Sequence, residues 1–381
     1  MEFDIKKHTH FLCVNGSCAF GTNVAGSDID LKGWAIPPKE YLFGPYHNFE
    51  QHDKKYLLEE FPWATEVGLY AHKYHIDVPQ EPLDQGIYSL YKFIKLASDA
   101  NPNIFTILFA NLDNILFMDD LGRELWENKD LFLSARVRYT YSGYAVSQLK
   151  RIQRHRKWLL KPLEEQPTRG QFNLPERTTI PADQRQAADR LVENLKREWL
   201  LLESELDRVV LHTITLKLED FFVHVLNKPD LIQEAEEAAY HKLEMSHNFI
   251  HILKQEKAYH RAKTEYKQYQ DWKKNRNPER AATEKKYGYD TKHSYHLIRL
   301  SDMCKEILTT GKVIVKRPDA AKLLDIRNGK WTYDEVVSYA EKKMKECEEI
   351  YKAETYVVPK KPDVKAIENL CISLHKGALN V

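Results

Sequence analysis

Two aspartates and a glycine–serine pair near the amino terminus have the spacing that metal-dependent phosphate chemistry requires. Gly16 and Ser17 follow an apolar run typical of a strand, and Asp28 and Asp30 flank an isoleucine in a second such run. Because side chains alternate along a strand, we expect both aspartates on one face. Two carboxylates on one face repel each other unless a cation lies between them. The pattern therefore predicts a metal site.

The glycine–serine pair predicts a phosphate-binding turn beside that metal site. Gly16 lets a backbone approach a ligand closely, and Ser17 offers its N–H and hydroxyl where a helix could begin. The alternative is a surface turn followed by a solvated strand, which leaves two acids facing one way beside a glycine turn unexplained.

The composition predicts an ordered cytoplasmic protein with no membrane partner. The 381 residues suffice for two or three domains, and 57 Lys+Arg against 56 Asp+Glu leave any nucleic-acid attraction to local patches. The five scattered cysteines fit free thiols in a reducing compartment, and no apolar run approaches ~20 residues. None of the 16 histidines has His-Glu-x-x-His spacing, so we interpret them as surface or core residues and not zinc ligands.

The pattern of elements predicts an α+β protein with a large helical part. Strands mixed with helices in residues 1–110 indicate a small catalytic domain, and 111–180 a helical connector with a basic segment. Residues 181–286 are highly charged, and leucines in helical spacing there predict two long antiparallel helices in an arm. Residues 287–381 should form a helical domain that closes the site, with a helix over 291–308, a strand over 312–316 and a partly loose tail after residue 355. The leucine stripe of the arm comprises Leu191, Leu195, Leu202, Leu206 and Val209.

The pair Gly16-Ser17 followed by Asp28-x-Asp30 closely resembles the nucleotidyltransferase signature of the DNA polymerase beta superfamily. Further stretches resemble its RNA repair pathway DNA polymerase beta family, and the charged middle region lies outside this resemblance as an insertion. One position departs from the pattern, since Thr106 stands where that family is expected to have an acid. The resembling stretches are 88–96, 101–103, 130–134, 143–144, 155–159, 296–300 and 324–329.

The resemblance implies a polymerase-beta-like domain with a mixed sheet that uses an NTP, with ATP as the preferred donor and Mg²⁺, or alternatively Mn²⁺, as the metal. Gly16, Ser17 and Ser27 would bind the nucleotide, while Asp28 and Asp30 would bind metal. The resemblance also implies a third carboxylate from a neighbouring strand.

Two acids are candidates for that third carboxylate. Asp84 lies on an extended segment that leads directly into a helix, and Asp77 follows a β-type run. We favour Asp84 and keep Asp77 as the alternative.

Three residues of the helix over 291–308 are candidates for the nucleotide. At about 100° per residue, Lys292, His296 and Arg299 fall in one stripe beside an apolar one. With the resemblance, Lys292 and Arg299 would neutralise the triphosphate and His296 would contact the base or ribose. The alternative is an ordinary amphipathic helix in which Arg299 pairs with an acid, Asp302 or Glu306.

Basic segments raise the question of an RNA acceptor. Arg151, Arg154, Arg156 and Lys157 stand beside a tryptophan, and 251–286 combine eleven Lys/Arg with interleaved aromatic residues. Phosphate contacts and base stacking are what single-stranded RNA binding requires. The alternative is that the lysines are solvated and the aromatic residues pack between helices.

These observations favour a nucleotidyltransferase that transfers NMP from an NTP to an RNA end and releases pyrophosphate. The enzymatic alternative transfers AMP to a hydroxyl of a protein or small molecule. A third interpretation is a nucleotide- or RNA-binding scaffold without activity. The oligomeric state, the base of the NTP and the number of nucleotides added are left open.

Overall fold

The computed structural model describes residues 3–77, 82–204 and 217–380. The chain divides into two compact units. The sheet unit comprises 1–142, 298–330 and 338–381, and the helical unit comprises 143–297 and 331–337. The predicted α+β class is confirmed as a mixed sheet with many helices. The predicted four-part division by function remains a prediction.

The sheet unit contains a five-stranded mixed sheet with the order β3-β4-β2-β1-β5. β1 pairs antiparallel with β2 and with β5, β2 pairs parallel with β4, and β3 pairs antiparallel with β4. The fifth strand follows residue 110, where the catalytic domain was predicted to end. The strands are β1 (Thr9–Asn15), β2 (Asp30–Ala35), β3 (Gln51–His52), β4 (Gln85–Ser89) and β5 (Ile115–Met118).

The central strands lie in the core of the sheet unit. All seven residues of β1 are buried, and Leu12, Leu31 and Ile87 are fully inaccessible on three neighbouring strands. A strand covered on both faces reads as a continuous apolar run, which is why the run before Gly16 predicted β1 from sequence.

Short helices with sequence-readable caps surround this sheet. Ser89 caps α5, and Asn101 caps α6 with Pro102 in its first turn. The helices of the sheet unit are α1 (Ile5–His8), α2 (Gly16–Phe20), α3 (Lys39–Phe43), α4 (Ala64–Tyr74), α5 (Leu90–Ser98), α6 (Pro102–Leu108) and α7 (Asp120–Glu127), with 3-10 turns at Leu58–Glu60, Leu112–Asn114 and Lys129–Phe132.

The helical unit is built on long helices. Helix α8 (Val137–Leu160) has residues in both units; α9 (Ala182–Ser204), α10 (Leu218–His224), α11 (Pro229–Lys242), α12 (His247–Lys274) and α13 (Pro278–Tyr287) follow, with a 3-10 turn at Gly170–Phe172. The carboxyl-terminal helices are α14 (Thr291–Thr310), α15 (Ala320–Arg327), α16 (Tyr333–Lys352) and α17 (Val364–Leu379). No described helix has the length and apolarity needed to cross a membrane.

The structure differs from two sequence predictions about the carboxyl-terminal region. Residues 312–316 form no strand, and Val315 is fully buried, so the apolar character of this run signals burial and not pairing. The tail predicted as partly loose has no helix or strand over 355–363 but ends in an ordered helix, because Asp363 caps α17, which buries Ile367, Leu370 and Leu374 at helical spacing.

The predicted apolar stripe of the first arm helix is also wrong in its phase. Leu191 and Leu202 are 50% and 79% exposed, while Val192 and Leu200 are inaccessible. The prediction followed the leucines, whereas the helix buries the side that carries Val192 and Leu200. Of the other three members of that stripe, Leu195 is half-buried and packs against the cluster that contains Val192, while Leu206 and Val209 lie outside the described residues.

Candidate active site

A tight turn joins β1 to the short helix α2 and places Gly16 directly beside Asp30. Asn15, the last residue of β1, pairs with Asp30, the first residue of β2. Gly16 has φ +66°, which L side chains rarely adopt, and α2 ends at Gly21 with φ +70°. The chain then returns through 22–29 to the second strand. The predicted helix start is therefore observed, one residue earlier than Ser17.

The contact between Gly16 and Asp30 leaves no room for a side chain at position 16 while the Asp30 carboxylate stays in place. A Cβ built on Gly16 would lie 1.8 Å from Asp30 Oδ2. The glycine therefore permits both the left-handed turn and the carboxylate above it. This is the close backbone approach that the sequence predicted for position 16.

Asp28 and Asp30 alternate with a buried residue, as expected. Ile29 is 1% exposed, whereas Asp28 is exposed and Asp30 half-buried. The nearby Cys18 thiol donates to the Asp28 carbonyl at 3.6 Å. Burial, followed by the charges of Asp30 and Asp28, raises the pKa of Cys18 to about 11. The charges of Asp28 and Asp30 thus both raise the pKa of the same thiol, that of Cys18 in α2.

Asp84 immediately precedes β4, which is the strand beside β2, and the register of these strands places it next to Asp30. Its carbonyl accepts from the Leu31 N–H at 2.9 Å, and Leu31 pairs with Gln85 in the parallel ladder. Since laterally paired residues share a face, Asp84 and Asp30 are on the same face of the sheet. The Lys32 Nζ lies 3.4 Å from Asp84 Oδ1 on that face.

Asp77 is in a different local setting from the one its sequence suggested. It is exposed and lies three residues after the end of α4, a helix that closes with His75 in a left-handed conformation. The β-type run expected before Asp77 is therefore a helix terminus. This geometry favours Asp84 as the third carboxylate, and the role itself remains a prediction.

Asn15 was missed by the sequence analysis. Its register places it on the face of Asp30, and its Oδ1 is buried without a hydrogen-bond partner among the described residues. A buried acceptor oxygen beside carboxylates is a suitable ligand for a hard cation. The sequence could have indicated Asn15 by its position immediately before the Gly16-Ser17 pair.

The serines of the turn have structural partners. Ser27 Oγ accepts from the Val24 N–H at 2.9 Å, and the Ser17 carbonyl accepts from the Thr22 N–H at 2.9 Å. These bonds shape the return from α2 to β2. Binding of nucleotide by Ser17 and Ser27 remains a prediction.

Carboxyl-terminal residues of the sheet unit hold this turn in place. The Phe20 carbonyl accepts from the Arg317 N–H at 3.0 Å, and Arg327 Nη1 donates to the Thr22 carbonyl at 2.9 Å. The Arg299 guanidinium lies 4.1 Å from the centre of the Phe20 ring and is buried. Helix α2 is therefore positioned by residues nearly three hundred positions away in sequence.

The nucleotide candidates of α14 have different surroundings. Arg299 is 5% exposed and packs behind α2, whereas Lys292 is exposed and His296 half-buried in the helical unit. Contact of any of the three with a nucleotide remains a prediction. The acids considered as partners of Arg299 bind other cations: Glu306 accepts from Arg317 at 2.7 Å, and Asp302 accepts from Lys322 at 2.6 Å.

Three of the four basic acceptor candidates are engaged within the helical unit. Arg154 Nη1 donates to Gln268 at 3.0 Å, and Lys157 Nζ donates to Glu265 at 2.8 Å. Arg156 donates to a backbone carbonyl at 3.1 Å and lies over a tyrosine ring. Arg151 is exposed. Arg154 and Lys157 therefore help to pack α8 against α12. Binding of RNA by this segment remains a prediction.

The aromatic residues near that segment pack between helices. Trp158 is 3% exposed, and its ring centre lies 5.7 Å from that of Tyr269 and 5.5 Å from that of Trp272. These rings are therefore core residues of the helical unit, which is the packing alternative considered from sequence.

A mixed sheet with a glycine–serine turn and acids on adjacent strands is the type of site that the sequence related to nucleotidyltransferases. Residues 3–163 match the family model described as the RNA repair pathway DNA polymerase beta family, which confirms the resemblance for this part of the chain. That family is of the polymerase beta nucleotidyltransferase type. The matched range includes every acid of the candidate site. Comparisons with curated proteins and with solved structures found no match.

Proposed function

We propose that the protein is a Mg²⁺-dependent nucleotidyltransferase that transfers NMP from an NTP to a hydroxyl of RNA. The observation that carries this proposal is the placement of Asp30 against Gly16 and beside Asp84, within a segment matched by the family model. The RNA acceptor is supported by the description of that family.

The donor atoms of the site suit a hard cation. Asp28, Asp30 and Asp84 offer carboxylate oxygens, and Asn15 adds a buried amide oxygen without a partner among the described residues. Oxygen ligands of this kind are those that Mg²⁺ prefers, and Mn²⁺ accepts the same set. When bound, two such ions would lower the pKa of the acceptor hydroxyl and neutralise charge on the triphosphate.

The residues of the chain have separate tasks in the transfer. The N–H groups after Gly16, with the Ser17 hydroxyl, bind the β- and γ-phosphates. The Asp84 carboxylate takes the proton of the attacking hydroxyl. The acceptor oxygen then forms a bond to the α-phosphorus, the bond from that phosphorus to the bridging oxygen breaks, and pyrophosphate leaves. Positioning and charge neutralisation supply most of the rate enhancement.

Label transfer tests the acceptor. Purified full-length protein is incubated with each α-labelled NTP and Mg²⁺, alone, with tRNA or with short RNA. We expect label on RNA, and its absence from RNA with label on the protein itself would favour the protein-modifying alternative. Binding of RNA without turnover under any condition would favour the scaffold.

A further inference from the structure

A cluster of buried histidine and carboxylate side chains lies in the helical unit, and the proposed transfer makes no use of it. His155 of α8, Glu284 of α13 and Asp290 just before α14 offer one ligand atom each, all within 4.8 Å of one another. Glu284 and Asp290 have 4% and 3% of their side-chain surface exposed, and His155 has 14%. Three separate elements therefore converge on one point inside this unit.

The distances from His155 to the two carboxylates are longer than hydrogen bonds and suit a shared ion. His155 Nδ1 lies 3.7 Å from Glu284 Oε1 and 3.9 Å from Asp290 Oδ2. Ligands about 2.0–2.2 Å from a tetrahedral ion lie about 3.3–3.6 Å apart, close to these separations. The same Nδ1 is buried and has no hydrogen-bond partner among the described residues. An unsatisfied imidazole nitrogen facing two carboxylates is costly unless a cation or proton lies between them.

A second imidazole, that of His293, lies beside Asp290 at the edge of this cluster. His293 Nδ1 lies 2.8 Å from Gln148 Oε1, so the proton on this ring belongs on Nδ1. Its other nitrogen, Nε2, then presents a lone pair to Asp290 Oδ2 at 3.5 Å. Two acceptors that face each other in a buried site are stable only with a cation or a proton between them.

The surroundings orient these donors as outer partners of a metal site do. Arg276 donates to Oε2 of Glu284, which leaves Oε1 directed at His155. Asp290 Oδ1 accepts from the backbone N–H of His293 at 2.9 Å, which leaves Oδ2 in the cluster. Such outer hydrogen bonds fix the orientation of ligand side chains.

Charge in the cluster is compatible with a divalent ion. Arg276 contacts the carboxylate of Glu284, while Arg151 and Arg280 act on His293 from exposed positions. The two buried carboxylates and this one contacting guanidinium together carry a net negative charge. A divalent cation would reverse that excess.

We propose that His155, Glu284 and Asp290 bind one first-row divalent transition metal, with Zn²⁺ as the fitting ion, and that this site joins three helical elements. An imidazole nitrogen among the ligands suits Zn²⁺ better than Mg²⁺, which prefers oxygen ligands. The site is separate from Asp28, Asp30 and Asp84, so its test does not depend on the proposed transfer reaction.

Titration with Co²⁺ and Zn²⁺ tests the site. Full-length protein treated with chelator and desalted is titrated with Co²⁺, and visible absorption of tetrahedral Co²⁺ is recorded before and after Zn²⁺ is added. We expect one equivalent of Co²⁺ to produce the bands and Zn²⁺ to remove them. Absence of these bands from the wild-type protein would overturn the proposal.

Variants locate the bound ion. Glu284→Gln preserves shape and should weaken Co²⁺ binding at least about tenfold, and His155→Gln should abolish the bands. Asp28→Asn/Asp30→Asn, at the other site, should bind Co²⁺ with tetrahedral bands like the wild type. Unchanged bands in a folded Glu284→Gln protein, checked by circular dichroism, would show that the cluster is an ion-pair network.

Discussion

At the scale of single residues, the sharpest feature is the carboxylate of Asp30 lying over Gly16. Replacement of Gly16 by alanine should displace that carboxylate, because the new Cβ would overlap its Oδ2. The far end of an aspartate can rotate away, so the fold should survive. We expect Gly16→Ala to lose at least about 100-fold in transfer rate, since a misplaced metal ligand costs several kcal/mol of transition-state stabilisation.

Gly26→Ala is the matched control for this variant. Gly26 lies in the segment that returns from α2 to β2, with φ +75°, and a Cβ there would meet nothing within 4 Å. Both variants should lose about 1–2 kcal/mol of stability from the left-handed backbone, measured by urea unfolding. Equal activity in the two would contradict the role assigned to the contact with Asp30.

The third carboxylate can be identified by a pair of isosteric variants. Asp84→Asn should reduce the transfer rate at least about 100-fold, because Asp84 is beside Asp30 on the same face of the sheet. Asp77→Asn should stay within about twofold of wild type, since Asp77 follows a helix terminus. Rates measured at saturating NTP decide between them, and the opposite ranking would make Asp77 the third acid.

Residue-level prediction from sequence succeeded where the contacts are local. The turn at Gly16 and the alternation around Ile29 depend on neighbours within about fifteen positions, and both are in the structure. Asn15 and Lys32 were missed because their significance comes from strand register. His155 was interpreted as a surface or core histidine, since its carboxylate neighbours are far away in sequence.

At the scale of elements, Arg299 supports α2 from behind. Its guanidinium is buried over the Phe20 ring, and a desolvated cation–π contact contributes about 2 kcal/mol. Arg299→Ala should therefore lower the free energy of unfolding by about 2 kcal/mol or more and reduce the rate through a displaced turn. Lys292→Ala, an exposed position on the same helix, should change stability by less than about 0.5 kcal/mol.

Chemical unfolding together with KM for NTP separates the two roles of Arg299. A raised KM with unchanged stability would contradict the supporting role and favour direct binding of the triphosphate. The sequence placed Arg299 at the edge of the packed face because helical periodicity orders residues around an axis. It cannot show that a second element, α2, covers that edge.

The strand predicted over 312–316 failed for the same reason, because the sequence does not show which elements lie next to each other. Its β-branched residues suit a pleated surface, but the chain there packs without a sheet edge beside it, and Arg317 bonds to the end of α2. Apolar runs report burial, whereas pairing requires a partner strand that sequence alone does not locate.

At the scale of the whole molecule, the segment that matches the family model is shorter than the compact unit that contains the sheet. The match ends at residue 163, yet residues 298–330 and 338–381 belong to the same compact unit as the sheet. Ser373 of α17 donates to Glu124 of α7 at 3.1 Å, and Cys304 donates to the Val137 carbonyl at 3.5 Å.

A fragment of residues 1–163 should therefore not fold as the intact unit does. Without its carboxyl-terminal partners, the turn after α2 loses its anchors and the apolar surface under α17 is exposed to water. We expect no cooperative thermal transition by circular dichroism. A fragment with a sharp transition near that of the full chain would contradict this division of the molecule.

The most direct test of the central claim is the rate of Mg²⁺-dependent pyrophosphate release from NTP in the presence of RNA. We expect release by the wild-type protein, loss with chelator, and a fall of at least about 100-fold in a folded Asp28→Asn/Asp30→Asn variant. Release that continues at the wild-type rate in this variant would contradict the assignment of the site.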